Sequence, residues 1–324
     1  MLDHGGRIVE ASRRYGVPLP EWLDLSTGVN PNGWPVPEAP PAAWTRLPED
    51  DDGLTDVARR YYGAGCALPV AGSQAAIQAL PWLRNPCRAA VMRPAYAEHA
   101  LAWKRAGHEV TAVEDARAAR RCDAVIVINP NNPTGQTHSA ESLLDLHERL
   151  SARGGWLIVD EAFMDAGPSQ SLAAHAGREG LIVLRSLGKF FGLAGARVGF
   201  ALAAPELLSR LQDRLGPWTV AGPSRWIAKQ ALADAAWRER TRARLAADSQ
   251  RLAALLARRG LPPDGGCALF QWAKSVRARA VHEALARRGI LTRLFADPPS
   301  LRFGLPGREA DWSRLDAALK EAAP

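Results

Sequence analysis

A chain of 324 residues with 47% hydrophobic and 23% charged residues can bury a substantial core, as one large domain or two, and gives no compositional basis for disorder beyond its turn-rich start. Its formal charge of +7 is scattered through Ala/Leu-rich helical patterns such as Arg238, Arg240, Arg242 and Arg244, which argues for solvated helix faces over a nucleic-acid-binding stripe and leaves a field that attracts small anions. No apolar run approaches the ~18 residues of a membrane span, Met1 to Glu10 lacks the apolar core of a secretory signal, and Cys66, Cys87, Cys122 and Cys267 have no paired spacing, so a cytoplasmic protein with reduced, mostly buried thiols and no metal site is expected.

Residues 1–48, rich in proline and glycine from Asn30 onward, predict an extended arm with turns. The acidic cluster Glu49 to Asp52 suits a helix N-terminus better than a metal site, and Leu54 to Tyr62 predicts a helix stopped by Gly63. Over 49–215, and most clearly from Pro69 to Leu202, short apolar runs alternate with amphipathic segments, the pattern of an α/β domain with a mostly parallel sheet. Strands are expected at Ala89 to Met92, Glu109 to Val113, Ala124 to Ile128, Trp156 to Asp160, Leu181 to Arg185 and Val198 to Leu202. Ser139 predicts the N-cap of a helix running to Arg153, with Leu143, Leu146 and Leu150 on one face and Gly154 as its stop. Such sheets bind ligands beyond the carboxyl ends of their strands, so the loops that begin near Asn129, Asp160 and Ser186 should converge. Over 216–324 the pattern becomes that of a smaller α+β domain: Ala/Leu/Arg helices from Arg225 to Ala257, a strand at Ala268 to Trp272, a helix from Val276 to Arg288 capped by Gly289, and a strand from Ile290 to Leu294.

Three segments at the ligand edge carry chemistry. Lys189 alone would be a surface lysine, but Ser186-Leu187-Gly188-Lys189-Phe190-Phe191-Gly192 and Ala194-Gly195-Ala196-Arg197-Val198-Gly199 surround it with glycines, a hydroxyl and an arginine, which points to an anionic cofactor. Its amine, held partly desolvated, could attack an aldehyde. Asp160, at the start of Asp160-Glu161-Ala162-Phe163, fits a helix cap by itself. Asn129-Pro130-Asn131-Asn132-Pro133-Thr134-Gly135 fits a tight turn.

In this order the three segments resemble the class I/II aminotransferase superfamily of pyridoxal-phosphate (PLP) enzymes. Gly72-Ser73-Gln74, Tyr96 and Leu301-Arg302-Phe303-Gly304 extend the resemblance over nearly the whole chain. It implies the aspartate aminotransferase fold (fold type I) and a homodimer. It implies that Lys189 carries PLP as a Schiff base, that Asp160 keeps the pyridine nitrogen protonated, and that Tyr96 stacks on the ring. Asn132 would bond the phenolic oxygen, without help from the tyrosine that many relatives have where Phe163 stands. Gly72, Ser73, Gln74, Ser186 and Arg197 would hold the cofactor phosphate. Arg302 would clamp the substrate α-carboxylate. Leu47-Pro48 stands in place of the Tyr-Pro pair with which relatives reach the neighbouring subunit's phosphate, so no such contact is expected there.

Within the superfamily, Asp3-His4-Gly5-Gly6, the run from Leu25 to Pro31, Asp160 to Asp165 and Leu291-Thr292-Arg293 are similar to the threonine-phosphate decarboxylase family of cobalamin biosynthesis. That family is itself similar to aminotransferases of the histidinol-phosphate type. The resemblance implies a phosphorylated amino acid as substrate, with His4, Gly5, Gly6 and Arg293 around its phosphate and Asn30 on its carboxylate. Decarboxylation is the expected reaction and transamination the alternative, because the bond held perpendicular to the cofactor ring decides between them.

Overall fold

The computed structural model describes residues 4–115, 119 and 121–322. It divides into two compact units. The first takes the chain up to Gly33, Pro133–Gln136 and the chain from Arg240; the second takes Trp34–Asn132 and Thr137–Glu239. The expected boundaries after residues 48 and 215 differ from this division. Residues 34–48 and 216–239 group with the second unit because helix Gly222–Ala233 packs on helix Leu54–Tyr62, and buried Arg225 forks onto Asp52 with two bonds of 2.8 Å. Burial opposes the Asp52 charge, but Arg225 and the Leu54 N–H outweigh it and hold the carboxyl below its ordinary range. Within the first unit the N-terminal segment is not simply extended. It forms helix Ile8–Tyr15, which ends at Gly16 in the left-handed region, and strand β1 (Leu23–Asp24). That helix is amphipathic but only eight residues long, and it buries Ala11 alone.

The second unit is built on seven strands: β2 (Leu68–Val70), β3 (Arg88–Met92), β4 (Glu109–Val113), β5 (Ala124–Ile128), β6 (Trp156–Asp160), β7 (Leu181–Ser186) and β8 (Gly199–Leu202). Their order is β2-β8-β7-β6-β5-β3-β4, with β7 through β4 parallel and β8 antiparallel to both neighbours. β5, β6 and β7 are buried along their whole length, which is why they appear in the sequence as apolar runs, broken only by Asp160 at the end of β6 and by Arg185 and Ser186 at the end of β7. β2 has three residues and contains Pro69, tolerated because it lies at the sheet edge. Helix Ala140–Ser151 starts as expected, with Ser139 Oγ accepting from the Ser142 N–H at 3.2 Å, and buries Leu143, Leu146 and Leu150. Helices Ala97–Arg105 and Pro205–Leu215, not anticipated from the sequence, join Ser73–Ala79 in covering the sheet; Trp103, Leu208 and Ile77 share a core with Val91, Ile126, Ile158 and Ile182. Burying each such side chain contributes about 1.5–3 kcal/mol before conformational entropy is counted.

The first unit also holds β9 (Gly265–Cys267), β10 (Phe270–Lys274), β11 (Ile290–Leu291), β12 (Arg293–Phe295) and β13 (Ser300–Gly304). An antiparallel sheet runs β12-β13-β10-β9, while β11 pairs in parallel with β1, Leu23 opposite Ile290. The single strand expected from Ile290 to Leu294 is therefore two strands. The break falls at Thr292, whose hydroxyl meets His282 Nδ1 at 2.9 Å, so the flanking pairs can join different sheets. Gly135 belongs to this unit as well: φ is 72°, and a Cβ there would fall 2.1 Å from the Gly266 carbonyl oxygen. That close approach requires glycine at the end of the Asn129 to Gly135 turn.

Candidate active site

At the carboxyl ends of β5, β6 and β7 the second unit encloses a cavity of about 140 Å³. Its walls include Gly72, Ser73, Gln74, Tyr96, Asn132, Phe163, Asp160, Ser186, Lys189 and Arg197, so the expected cofactor residues are brought together in one place. Asp160 is buried at the end of β6. One of its carboxylate oxygens accepts from His99 Nε2 at 2.9 Å and the other from the Ala162 N–H at 3.1 Å. An ionised carboxylate only accepts, so His99 carries its proton on Nε2. Tyr96 meets the His99 ring edge-on at 6.3 Å and donates its hydroxyl to Gln74 Oε1 at 3.2 Å. Burial pushes the Tyr96 phenol up to about 12, which keeps it a neutral donor at ordinary pH. The Lys189 amine lies 5.6 Å from the centre of the Phe163 ring, an apolar wall in place of a hydroxyl.

The loops that carry these groups are braced from behind. Asn129 exchanges two hydrogen bonds with the backbone of His138, at 3.1 and 3.0 Å, and Asn131 Nδ2 donates to the Pro94 carbonyl at 2.7 Å; together they hold the turn that presents Asn132. Ser186 Oγ accepts from the Gly188 N–H at 3.3 Å. Arg197 adopts a left-handed backbone with φ of 53°, and its guanidinium lies against Gly72, where a Cβ would be 2.6 Å from it. Between Asp160 and Ser186 in sequence terms lies a fully buried charge cluster: Arg185 bonds both Glu161 and Asp165 and lies 4.6 Å over the Tyr62 ring. Tyr61 donates to Asp165 at 2.9 Å, and Ser171 and the Leu172 N–H donate to Glu161 at 2.6 and 2.7 Å. Burial opposes the Arg185 charge, but Asp165 and Glu161 outweigh it and raise its pKa. Truncation in Arg185→Ala strands two buried carboxylates, and a loss of about 3–5 kcal/mol is expected in urea unfolding.

The expected substrate residues lie in the first unit. Arg302 on β13 stands directly opposite Arg293 on β12. Arg302 is buried, donates to the Ser26 carbonyl at 2.8 Å and covers the Phe270 ring at 5.1 Å. Burial pulls its guanidinium down to about 10, so it remains charged at neutral pH. Like charges opposed across strands are costly, and an anion between them relieves that cost. His4, Gly5, Ser26 and Arg293 share a cavity of about 440 Å³ with Arg7, Arg279 and His282. Gly6 donates its N–H to Ser26 Oγ at 2.7 Å. Asn30 and Arg302 are not among the walls of that cavity, and Asp3 lies outside the described residues.

The family model for aminotransferase class I and II matches residues 67–314. The chain belongs to the class I and II aminotransferase family. It is 58% identical to a threonine-phosphate decarboxylase from Pseudomonas aeruginosa, over 98% of this chain and 97% of that one. To a threonine-phosphate decarboxylase from Sinorhizobium sp it is 44% identical, over 98% and 97%. The solved structure of histidinol-phosphate aminotransferase from Sinorhizobium meliloti, in complex with pyridoxal-5'-phosphate, matches the fold with a TM-score of 0.83 at 19% identity, covering 100% of this chain and 98% of that one.

The second unit's cavity fits PLP, the cofactor of the class I and II aminotransferase family, on its own chemistry. A guanidinium, a hydroxyl and a side-chain-free backbone at Gly72 suit a phosphate. A carboxylate fixed by two donors suits a pyridinium nitrogen, and a primary amine suits an aldehyde. Sequence inspection missed His99 and the Arg185 cluster. His99 lies three residues after Tyr96, the N-cap of helix Ala97–Arg105, so the first turn of that helix brings the two rings together, and that spacing was the available signal.

Proposed function

We propose that this protein decarboxylates L-threonine O-3-phosphate to 1-amino-2-propanol O-phosphate and CO2, the step that serves cobalamin synthesis. The observation that carries the reading is the single cavity holding Lys189 with the His99-anchored carboxylate of Asp160, in a chain 58% identical over nearly its full length to a threonine-phosphate decarboxylase. PLP, when bound, supplies a sink for the electron pair released at the substrate α-carbon. Lys189 would hold the cofactor through its amine, and the same amine would supply the proton that replaces CO2 on the substrate α-carbon. With PLP bound, Asp160 would keep the ring nitrogen protonated, Tyr96 would support the ring and Asn132 would bond the phenolic oxygen, while Gly72, Ser73, Gln74, Ser186 and Arg197 would hold the phosphate.

Arg302 and Asn30 take the substrate carboxylate, and Arg293, His4, Gly5 and Gly6 its phosphate. The opposed pair Arg293 and Arg302 supports a doubly anionic substrate. We further propose a homodimer in the cytoplasm. Among the described residues no helix is long and apolar enough to cross a membrane, and Val36, Trp44 at 70% and Leu47 at 64% exposure form an apolar segment suited to a partner copy. Incubation of the PLP-loaded protein with threonine phosphate and no keto acid is expected to release one CO2 per amine formed. Turnover that instead requires 2-oxoglutarate and yields glutamate would assign transamination.

A further inference from the structure

We infer that Arg244 is a positioning residue that fixes the side-chain amide of Asn30 with its nitrogen end turned toward the substrate. Asn30 is only 3% exposed, and its Oδ1 accepts from two donors, the Asn32 N–H at 3.0 Å and the Arg244 guanidinium at 3.1 Å. An amide has one accepting end and one donating end of nearly equal shape, and only the oxygen end can receive both of these groups. Turned over, the Asn30 NH2 would face two other donors. Arg244, on helix Ala235–Arg258, also donates to the Asn32 carbonyl at 3.0 Å, and Asn32 Nδ2 donates to the Gly307 carbonyl at 3.1 Å, so the turn at Asn30 to Asn32 is closed on both sides.

A cation on Oδ1 does more than orient. It draws electron density through the amide and strengthens the Nδ2–H bonds as donors to an anion. The inference rests on the reading of Asn30 as a ligand of the substrate carboxylate. The product, 1-amino-2-propanol O-phosphate, keeps the amine and phosphate but has no carboxylate, so it separates the two.

The test compares the KM for threonine phosphate, the inhibition constant of the product and the thermal midpoint in PLP-loaded Arg244→Ala, Arg244→Lys, Asn30→Ala and the Arg244→Ala/Asn30→Ala double variant. Arg244→Ala is expected to raise KM by about 10- to 100-fold, with kcat within about threefold and the product constant unchanged. Arg244→Lys recovers part of the loss, and the double variant is no worse than about threefold beyond Asn30→Ala. A drop in kcat and thermal midpoint with KM unmoved, a parallel rise in the product constant, or effects that multiply in the double variant would make Arg244 a structural brace and overturn the inference. An unchanged KM in Asn30→Ala would remove Asn30 from the substrate set and the inference with it, leaving the Lys189 chemistry untouched. Should Arg244→Ala not fold, Arg244→Lys and Arg244→Gln carry the same comparison.

Discussion

Replacement of Lys189 by alanine is expected to lower decarboxylation of threonine phosphate by on the order of 10²- to 10⁴-fold, the range associated with losing a positioned proton-transfer group. The same substitution is expected to remove the covalent hold on the cofactor. Borohydride reduction of the PLP-loaded wild type should leave the cofactor on the peptide containing Lys189, and the variant should show none. The structure gives the reason for expecting so large an effect. Lys189 occupies a small cavity with Phe163 on one side, and the nearby Asp160 carboxylate is already engaged by His99 and the Ala162 backbone. Among the described residues no second lysine lines the cavity. Labelling at a different lysine, or near-normal turnover in Lys189→Ala, would move the chemistry elsewhere.

Asp160→Ala is expected to reduce kcat by on the order of 10²- to 10³-fold with a small change in KM, the result that follows from the proposed role of its charge on the ring nitrogen. His99→Ala should cost less, about 10- to 100-fold, the scale for losing a group that orients a ligand without touching the reacting atoms. The graded pair is the point of the experiment. If His99 merely fills space beside the sheet, the variant should lose stability with no change in kcat and no change in the cofactor's visible spectrum. If it orients Asp160, kcat and the spectrum should move together, and His99→Asn, which retains a donor, should recover part of both.

Much of the second unit is legible in the sequence because its physics is local and repetitive. Central parallel strands buried on both faces are mostly apolar, so β5, β6 and β7 stand out, and the polar groups at their carboxyl ends follow from topology. Ser139 marks a helix start through its own side chain, while the helix ends at Ser151, two residues before the expected Arg153, and Gly154 with φ of 68° turns the chain just beyond it. What is not legible depends on partners far away in the chain. Arg225 looks like any basic helix residue until Asp52, with which it forms its fork, is brought to it. Arg185 lies in an apolar run, where its charge seems out of place. It is accommodated by Glu161 and Asp165 on the loop after β6 and by the Tyr62 ring. Arg244 belongs to a scattered basic helix pattern and acquires meaning only through Asn30, over two hundred positions earlier.

The break at Thr292 has a bearing on how such a chain can diverge. The two short strands on either side of it answer to different neighbours, β11 to β1 and β12 to β13, with Arg293 held opposite Arg302 by the second pairing. Residues alternate faces along a strand, so adding or deleting one codon between Ile290 and Phe295 would turn Arg293 to the other face while leaving the composition of the segment nearly intact. A substitution there acts at one side chain, whereas a change of length displaces Arg293 and the pairing together. Insertions and deletions should therefore be tolerated in the surface connections of this unit long before they are tolerated in these six residues.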